Sequence, residues 1–269
     1  MRLRRLAAIT VAFLLTTTLA AVTGSGAGAA PKKQPPLRIL VTNDDGVTSD
    51  GIDALVQALA GVKGVKLTVI APAENQSGKG STTTGGTLTG TPATTKSGVK
   101  AIAVAGTPAD SVIYALEQGG LKQKPNLVMS GINSTQNLGI ATDASGTVGA
   151  AKTAAARGIS AVAFSQGIAG VSTPDYPSGA KAALAWLKRY RKTLSAAKGK
   201  TTAVVLESVN IPTCTSGAIR GTLDTTIAPN LDNGVIDQNC ASTLASPTND
   251  IEAFNNGYIT VTKVPIPTA

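Results

Sequence analysis

Residues 38–71 constrain the fold more than any other part of this chain. Arg38-Ile39-Leu40-Val41-Thr42 has the composition of a buried strand, and it runs directly into Asn43-Asp44-Asp45-Gly46. Ile52, Leu55, Val56 and Leu59 then recur at helical spacing over 51–59. A second apolar strand fills 66–71 and stops at Pro72. Strand, acidic turn, helix, strand is a βαβ unit, which implies a parallel sheet and an α/β fold.

The alternation continues downstream. Strands are predicted at 100–105, 126–130, 160–165 and 202–207, and helices at 108–116, 146–157 and 178–197. Pro108 suits the first turn of its helix. Residues 78–98 are rich in Gly, Thr, Ser and Pro without apolar periodicity, and read as a mobile loop or a weak hairpin. From Val209 the pattern weakens into short β segments and turns, with a last clear strand at 258–262. We read 209–269 as an extended C-terminal β arm or subdomain.

The N-terminus is of another kind. Residues 1–5 carry three arginines and no acid, residues 6–22 are apolar apart from threonines, and small residues lead to Ala27-Gly28-Ala29. Basic, apolar, then A-x-A is the order of a secretory signal peptide, here 1–29, followed by a Lys/Pro-rich linker at 30–36 and the folded domain at 37–269. An uncleaved membrane anchor is the competing reading, since roughly 17 residues is marginally long enough to span. The small-residue end favours cleavage. The expected product is extracellular, with no stable membrane contact.

The chain has 24 basic and 15 acidic residues, and three of the basic ones are the leader arginines. The remaining lysines are scattered with few aromatics between them, so no nucleic-acid polymer is expected as a partner. A mild cationic excess steers small anions such as phosphate esters. Cys214 and Cys240 are the only cysteines. In an exported protein they point to one disulfide, closing a loop of about 25 residues with on the order of 3 kcal/mol of stabilisation; two unpaired thiols are the alternative. There is no histidine. That removes Ser-His-Asp hydrolysis, Cys-His chemistry, histidine phosphatases and ordinary catalytic zinc.

In open parallel sheets ligands bind beyond the carboxyl ends of the strands. Polar turns sit at such places in Asn43-Asp44-Asp45-Gly46, Asn75-Gln76-Ser77-Gly78, Ser130-Gly131-Ile132-Asn133 and Ser145-Gly146-Thr147. Adjacent carboxylates repel unless a cation lies beside them. Asp44, Asp45, Ser77 and Asn133 therefore make an all-oxygen set suited to one divalent ion, Mg, Mn or Ca. The plain alternative for Asp-Asp-Gly is a capped turn. Ser145-Gly146-Thr147 opens a helix, whose free N–H groups bind anions, although helix N-caps have the same look.

These pieces, in order, resemble the SurE (survival protein E) phosphatases: RILVTNDDGV, VIAPAENQSG, GTPADSV, PNLVMSGIN, NLG at 137–139, SGTVGAA, and more loosely VNIP and DIEAFNNGYITVT. The resemblance implies a Rossmann-like three-layer fold with a mostly parallel sheet and an extended C-terminal β arm. It implies a homodimer or homotetramer and a divalent-metal phosphomonoesterase, a 5'-nucleotidase acting on nucleoside 5'-monophosphates and similar phosphate esters. By motif position Asp44, Asp45, Ser77 and Asn133 match metal ligands, with Asp44 or Asp45 also assisting catalysis. Asn43, Gly78, Ser145, Gly146 and Thr147 match phosphate-binding groups, and Asp110 matches a structural position. The chain departs from the family at 140–144, Ile-Ala-Thr-Asp-Ala, where acidic and aromatic residues are usual. A non-catalytic secreted protein that binds nucleotide or phosphate is the competing expectation. A dinucleotide oxidoreductase ranks far below both, for lack of G-x-G-x-x-G after the first strand.

Overall fold

Alternation along the first strand sets the layers. In β1 (Leu37–Thr42), Ile39 and Val41 enter one core while Leu40 enters the other. A strand apolar on both faces has to be covered on both, which is the situation of a parallel sheet between helices. The computed structural model describes residues 35–168, 173–196, 203–231 and 238–268. The predicted leader and most of the linker lie outside these residues.

The helix α1 (Asp50–Ala60) packs Ile52, Leu55, Val56 and Leu59 on the first face. The strands β2 (Val65–Pro72), β3 (Gly90–Thr94) and β4 (Lys100–Val104) follow. Next come α2 (Pro108–Glu117), β5 (Leu127–Asn133), a 3-10 turn at Gly139–Asp143 and α3 (Gly146–Ala156). The helices α2 and α3 cover the second face through Val112, Ala115, Val148, Ala151 and Ala154. Then β6 (Ala161–Gln166) leads to α4 (Tyr176–Ala196), which joins α1 through Ala183, Trp186 and Leu187. The chain ends in β7 (Leu206–Ile211), β8 (Thr222–Thr225), α5 (Asp250–Asn255) and β9 (Ile259–Lys263).

The sheet order is β3-β4-β2-β1-β5-β6-β7-β9-β8. From β4 to β7 all neighbours are parallel, while β3 and β9 attach antiparallel at the two sides. The chain builds outward from β1 through β2 to β4, then returns to place β5 on the other side of β1. The carboxyl ends of β1 and β5 thus flank the point where winding reverses, the place where such sheets bind ligands.

Two strand bounds need correction, and of the two readings of residues 78–98 the hairpin is the one seen: β3 pairs antiparallel with β4, Leu88 N donates to Gln118 Oε1 at 2.8 Å, and Thr84 N and Oγ1 donate to Asp110. Side-chain hydrogen bonds do here what apolar periodicity does elsewhere. The strand read at 202–207 lies instead at Leu206–Ile211. Its polar residues hid it, because Glu207 is buried against Trp186 Nε1 and Tyr190 Oη and Asn210 against Asn137. The strand read at 126–130 runs on to Asn133, with a register shift against β6 after Ser130. Asp110 serves structure, sharing a capping box with Thr107. No helix among the described residues is long and apolar enough to cross a membrane.

Candidate functional site

The turn after β1 is locked from within. Asn43 is fully buried, and its Nδ2 donates to Gly46 O at 2.9 Å and to Ser49 Oγ at 2.8 Å. Gly46 takes φ 101°, a conformation that disfavours a side chain, and Val47 N donates to Pro72 O at 2.9 Å. The turn is therefore pinned to the end of β2. Asp44 emerges buried and Asp45 half-buried.

The start of α3 closes on Asp44. Ser145 is its N-cap, accepting from Val148 N at 3.1 Å, and Thr147 Oγ1 donates to Asp44 Oδ1 at 2.6 Å. A Cβ on Gly146 would lie 2.8 Å from Asp44 Cβ and 2.9 Å from Oδ2, so a glycine is what allows the helix to dock there. The positive end of the helix favours a carboxylate beside it. From the other side Gln76 N donates to Asp44 O at 2.7 Å, which fixes the loop carrying Ser77 and Gly78.

The electrostatics are unfavourable for two bare carboxylates. Burial pushes Asp44 up from its ordinary value, and the Thr147 hydroxyl opposes it. Burial and then the charge of Asp44 raise Asp45 to about 6, against donors from Ser134. Asp45 Oδ2 and Asn43 Oδ1 are buried without a hydrogen-bond partner among the described residues. Asn133 Nδ2 donates to Thr135 O at 2.7 Å, so its oxygen is the atom that can face a cation. Unpartnered buried oxygens beside paired carboxylates fit a hard divalent ion. No cluster of three or more His, Cys, Asp or Glu side chains suited to a metal occurs among the described residues. An ion here would rest on two carboxylates and neutral oxygens.

The sequence candidates thus gather unequally. Asp44, Asp45, Ser145, Gly146 and Thr147 meet directly, while Ser77 and Asn133 reach the same strand ends through the backbone. The Asn43 amide and the Thr147 hydroxyl are already engaged within the protein. Gly78 is exposed at φ 76°. Cys214 and Cys240 form a disulfide. Two neighbours escaped the sequence reading. Ser134 Oγ lies 3.5 Å from Asp45 Oδ1, and its place after Asn133 was a usable signal. Tyr176 is raised to about 12 by burial and by the charges of Asp45 and Asp50, yet nothing in its local sequence marks it. Residues 140–144 fall in and just after the 3-10 turn, where Asp143 pairs with Lys152 at 2.7 Å.

The motifs NLG and VNIP meet in space. Asn137 N donates to Asn210 Oδ1 at 2.7 Å, Asn210 Nδ2 returns to Asn137 O at 3.1 Å, and Asn137 Nδ2 reaches Ser165 Oγ at 2.8 Å. Buried Asp250 accepts from Gly139 N at 2.9 Å and Ala228 N at 2.8 Å. β7, through Asn210, and α5, through Asp250, therefore brace the loop that delivers α3 to the site.

Known proteins resemble this chain in sequence and fold. The family model described as "Survival protein SurE" matches residues 39–232. A protein named 5'-nucleotidase SurE from Methanopyrus kandleri is 42% identical over 130 residues, 48% of this chain and 49% of that protein. Another of that name from Carboxydothermus hydrogenoformans is 44% identical over 142 residues, 52% of this chain and 53% of that one. The chain spans about half the length of these curated relatives. The crystal structure of a SurE protein from Aquifex aeolicus superposes with TM-score 0.65 at 27% identity, covering 86% of this chain and 94% of that one.

Proposed function

The chain belongs to the survival protein SurE family, and from that premise we propose that it is a divalent-cation-dependent phosphomonoesterase acting on nucleoside 5'-monophosphates and related esters. The observation that carries the reading is the docking of the α3 start on Asp44, beside the half-buried Asp45 whose Oδ2 has no partner. The name 5'-nucleotidase SurE on relatives of about 42% identity supports the substrate class.

In this reading Asp44, Asp45, Ser77 and Asn133 hold one Mg, Mn or Ca ion. When bound, such an ion offsets charge on a phosphate and makes a bound water more acidic. The chain's own groups do the rest. Thr147 fixes Asp44 through its hydroxyl, so the carboxylate keeps one orientation. The positive end of the α3 dipole, with the Ser145 hydroxyl, favours the phosphate oxygens. Asp45, the carboxylate with a free oxygen, takes a proton from attacking water at Oδ2. Export by the leader at 1–29 and assembly as a homodimer or homotetramer complete the proposal, supported by the order of the leader residues and by the family resemblance.

A phosphatase assay with p-nitrophenyl phosphate and a nucleotide panel, run across Mg, Mn, Ca and Co with and without EDTA, tests it. Turnover that EDTA abolishes and Asp44→Asn lowers at least 100-fold is expected. No metal-dependent turnover on any substrate would sink the enzyme reading in favour of a non-catalytic phosphate binder. A phosphorylated aspartate trapped by acid quench would replace water as the nucleophile.

A further inference from the structure

At the other end of the same strands, where β1 and β2 begin, lies a cleft of about 350 Å³. Part of its wall is a block of four registered residues: Arg38 beside Lys66, and Leu40 beside Thr68. Partners in register on neighbouring strands present their side chains to the same face. Two cations therefore stand side by side, an arrangement that is repulsive unless something offsets it. The loop after α2 adds a third, Lys122, together with Leu121.

Among the described residues, no carboxylate balances them. No carboxylate lines the cleft. None of the ion pairs among the described residues uses Arg38, Lys66 or Lys122. Residues 1–34 contain no Asp or Glu. Arg38 is nonetheless held in place, since its Nε donates to Lys124 O at 2.8 Å, and its four remaining N–H groups stay available. A plain solvated face would scatter its lysines over convex surface. Here like charges are registered around a concavity whose lining also includes the partly exposed Leu121.

We propose that this cleft binds a phosphate group, free or carried on a small organic molecule. Arg38 supplies a planar fork for two phosphate oxygens and Lys66 and Lys122 supply point charges. The bound anion removes the repulsion between Arg38 and Lys66. The strand between Arg38 and Asp44 spans about 20 Å at its normal rise, so this is a second anion site rather than a part of the acidic one.

Amine acylation of the full protein, mapped by mass spectrometry, reads the cleft directly and does not depend on turnover. The probes are inorganic phosphate and phenylphosphonate, which has no ester bond to hydrolyse, against sodium chloride at matched ionic strength. We expect labelling of Lys66 and Lys122 to slow at least threefold with either probe while Lys100 and Lys188 label as before. Arg38→Gln should abolish the protection, and Asp44→Asn should leave it intact. Lys122→Gln, on an exposed loop, gives the same loss at Lys66 and serves where Arg38→Gln fails to fold. Protection by phenylphosphonate alone supports an organic phosphate as the ligand, and protection by both supports the phosphate group itself. Equal labelling in phosphate and chloride overturns the proposal, as does protection that survives Arg38→Gln or Lys122→Gln and disappears in Asp44→Asn.

Discussion

Thr147 donates its hydroxyl to Asp44 Oδ1 across 2.6 Å and 103 residues of sequence, joining the end of β1 to the first turn of α3. Both residues are buried, so water cannot substitute for either partner. Burial drives Asp44 towards its neutral form and the hydroxyl works against that. Thr147→Val keeps the shape and deletes the donor. It should cost about 1.5–3 kcal/mol in urea unfolding at neutral pH, the range for a hydrogen bond to a charged group. Thr147→Ser keeps the donor and should lose only about 0.8 kcal/mol for one methyl. Phosphatase activity should fall with Val and persist with Ser. Equal stability of the Val variant and the parent would remove this hydrogen bond from the account.

The acidic pair carries a stability penalty that a cation relieves. Asp45 is raised by burial and by the Asp44 charge, and its Oδ2 lacks a partner. In EDTA, Asp45→Asn should therefore be more stable than the parent, by on the order of 1–3 kcal/mol. Adding Mn or Mg at 100 times its dissociation constant should stabilise the parent by about 2.7 kcal/mol and the variant far less. Thermal melts with and without the ion check both halves. A variant that melts below the parent in EDTA contradicts the repulsion argument.

Asp53 supplies a pH dependence away from the site. Its carboxylate accepts from Thr95 Oγ1 at 2.6 Å, Ser97 Oγ at 2.6 Å, Ser97 N at 2.9 Å and Gln57 Nε2 at 2.7 Å. Burial pushes it up, but the donors from Ser97, Thr95 and Gln57 together outweigh that and hold it below its ordinary value. A carboxylate depressed in the folded state stabilises above the unfolded value of about 3.9 and loses that contribution as pH falls through the folded value. Urea unfolding at pH 6 and pH 3 should show a smaller acid loss for Asp53→Asn than for the parent. The contact also ties α1 to the β3–β4 hairpin, so the variant should be less stable at pH 6.

Much of this was legible in the residues, and the failures share a cause. Ile39-Leu40-Val41 and the helical spacing of Ile52, Leu55, Val56 and Leu59 state their structure through apolar pattern alone. The acidic turn is readable because it follows such a strand. Leu206–Ile211 was misplaced because Glu207 and Asn210 look exposed in sequence, yet each finds its partners from distant elements. Residues 78–89 looked loose for the same reason: their order comes from Asp110, Gln118 and Thr107, residues more than twenty positions away. Tyr176 carries no local signal, since only the packing of α4 brings it towards Asp45.

Gly149 tests whether that ordered loop matters to the site. It sits within α3, where a Cβ would lie 1.9 Å from Gly80 O, 2.2 Å from Gly80 C and 2.8 Å from Ser81 N. All three are backbone atoms, so the loop itself must move. Gly80 N also donates to Ala144 O at 3.1 Å, and the same loop carries Ser77 and Gly78. Alanine is the better helix former by about 1 kcal/mol, so local propensity and tertiary packing predict opposite signs. We expect packing to win because a contact under 2 Å has no cheap relaxation. Gly149→Ala should be less stable than the parent in urea, should bind Mn at least 10-fold more weakly by calorimetry, and should expose residues 78–82 to proteolysis. An alanine variant with raised stability and unchanged Mn affinity would mean that the loop can lift off α3 freely and that Ser77 has no part in holding the ion.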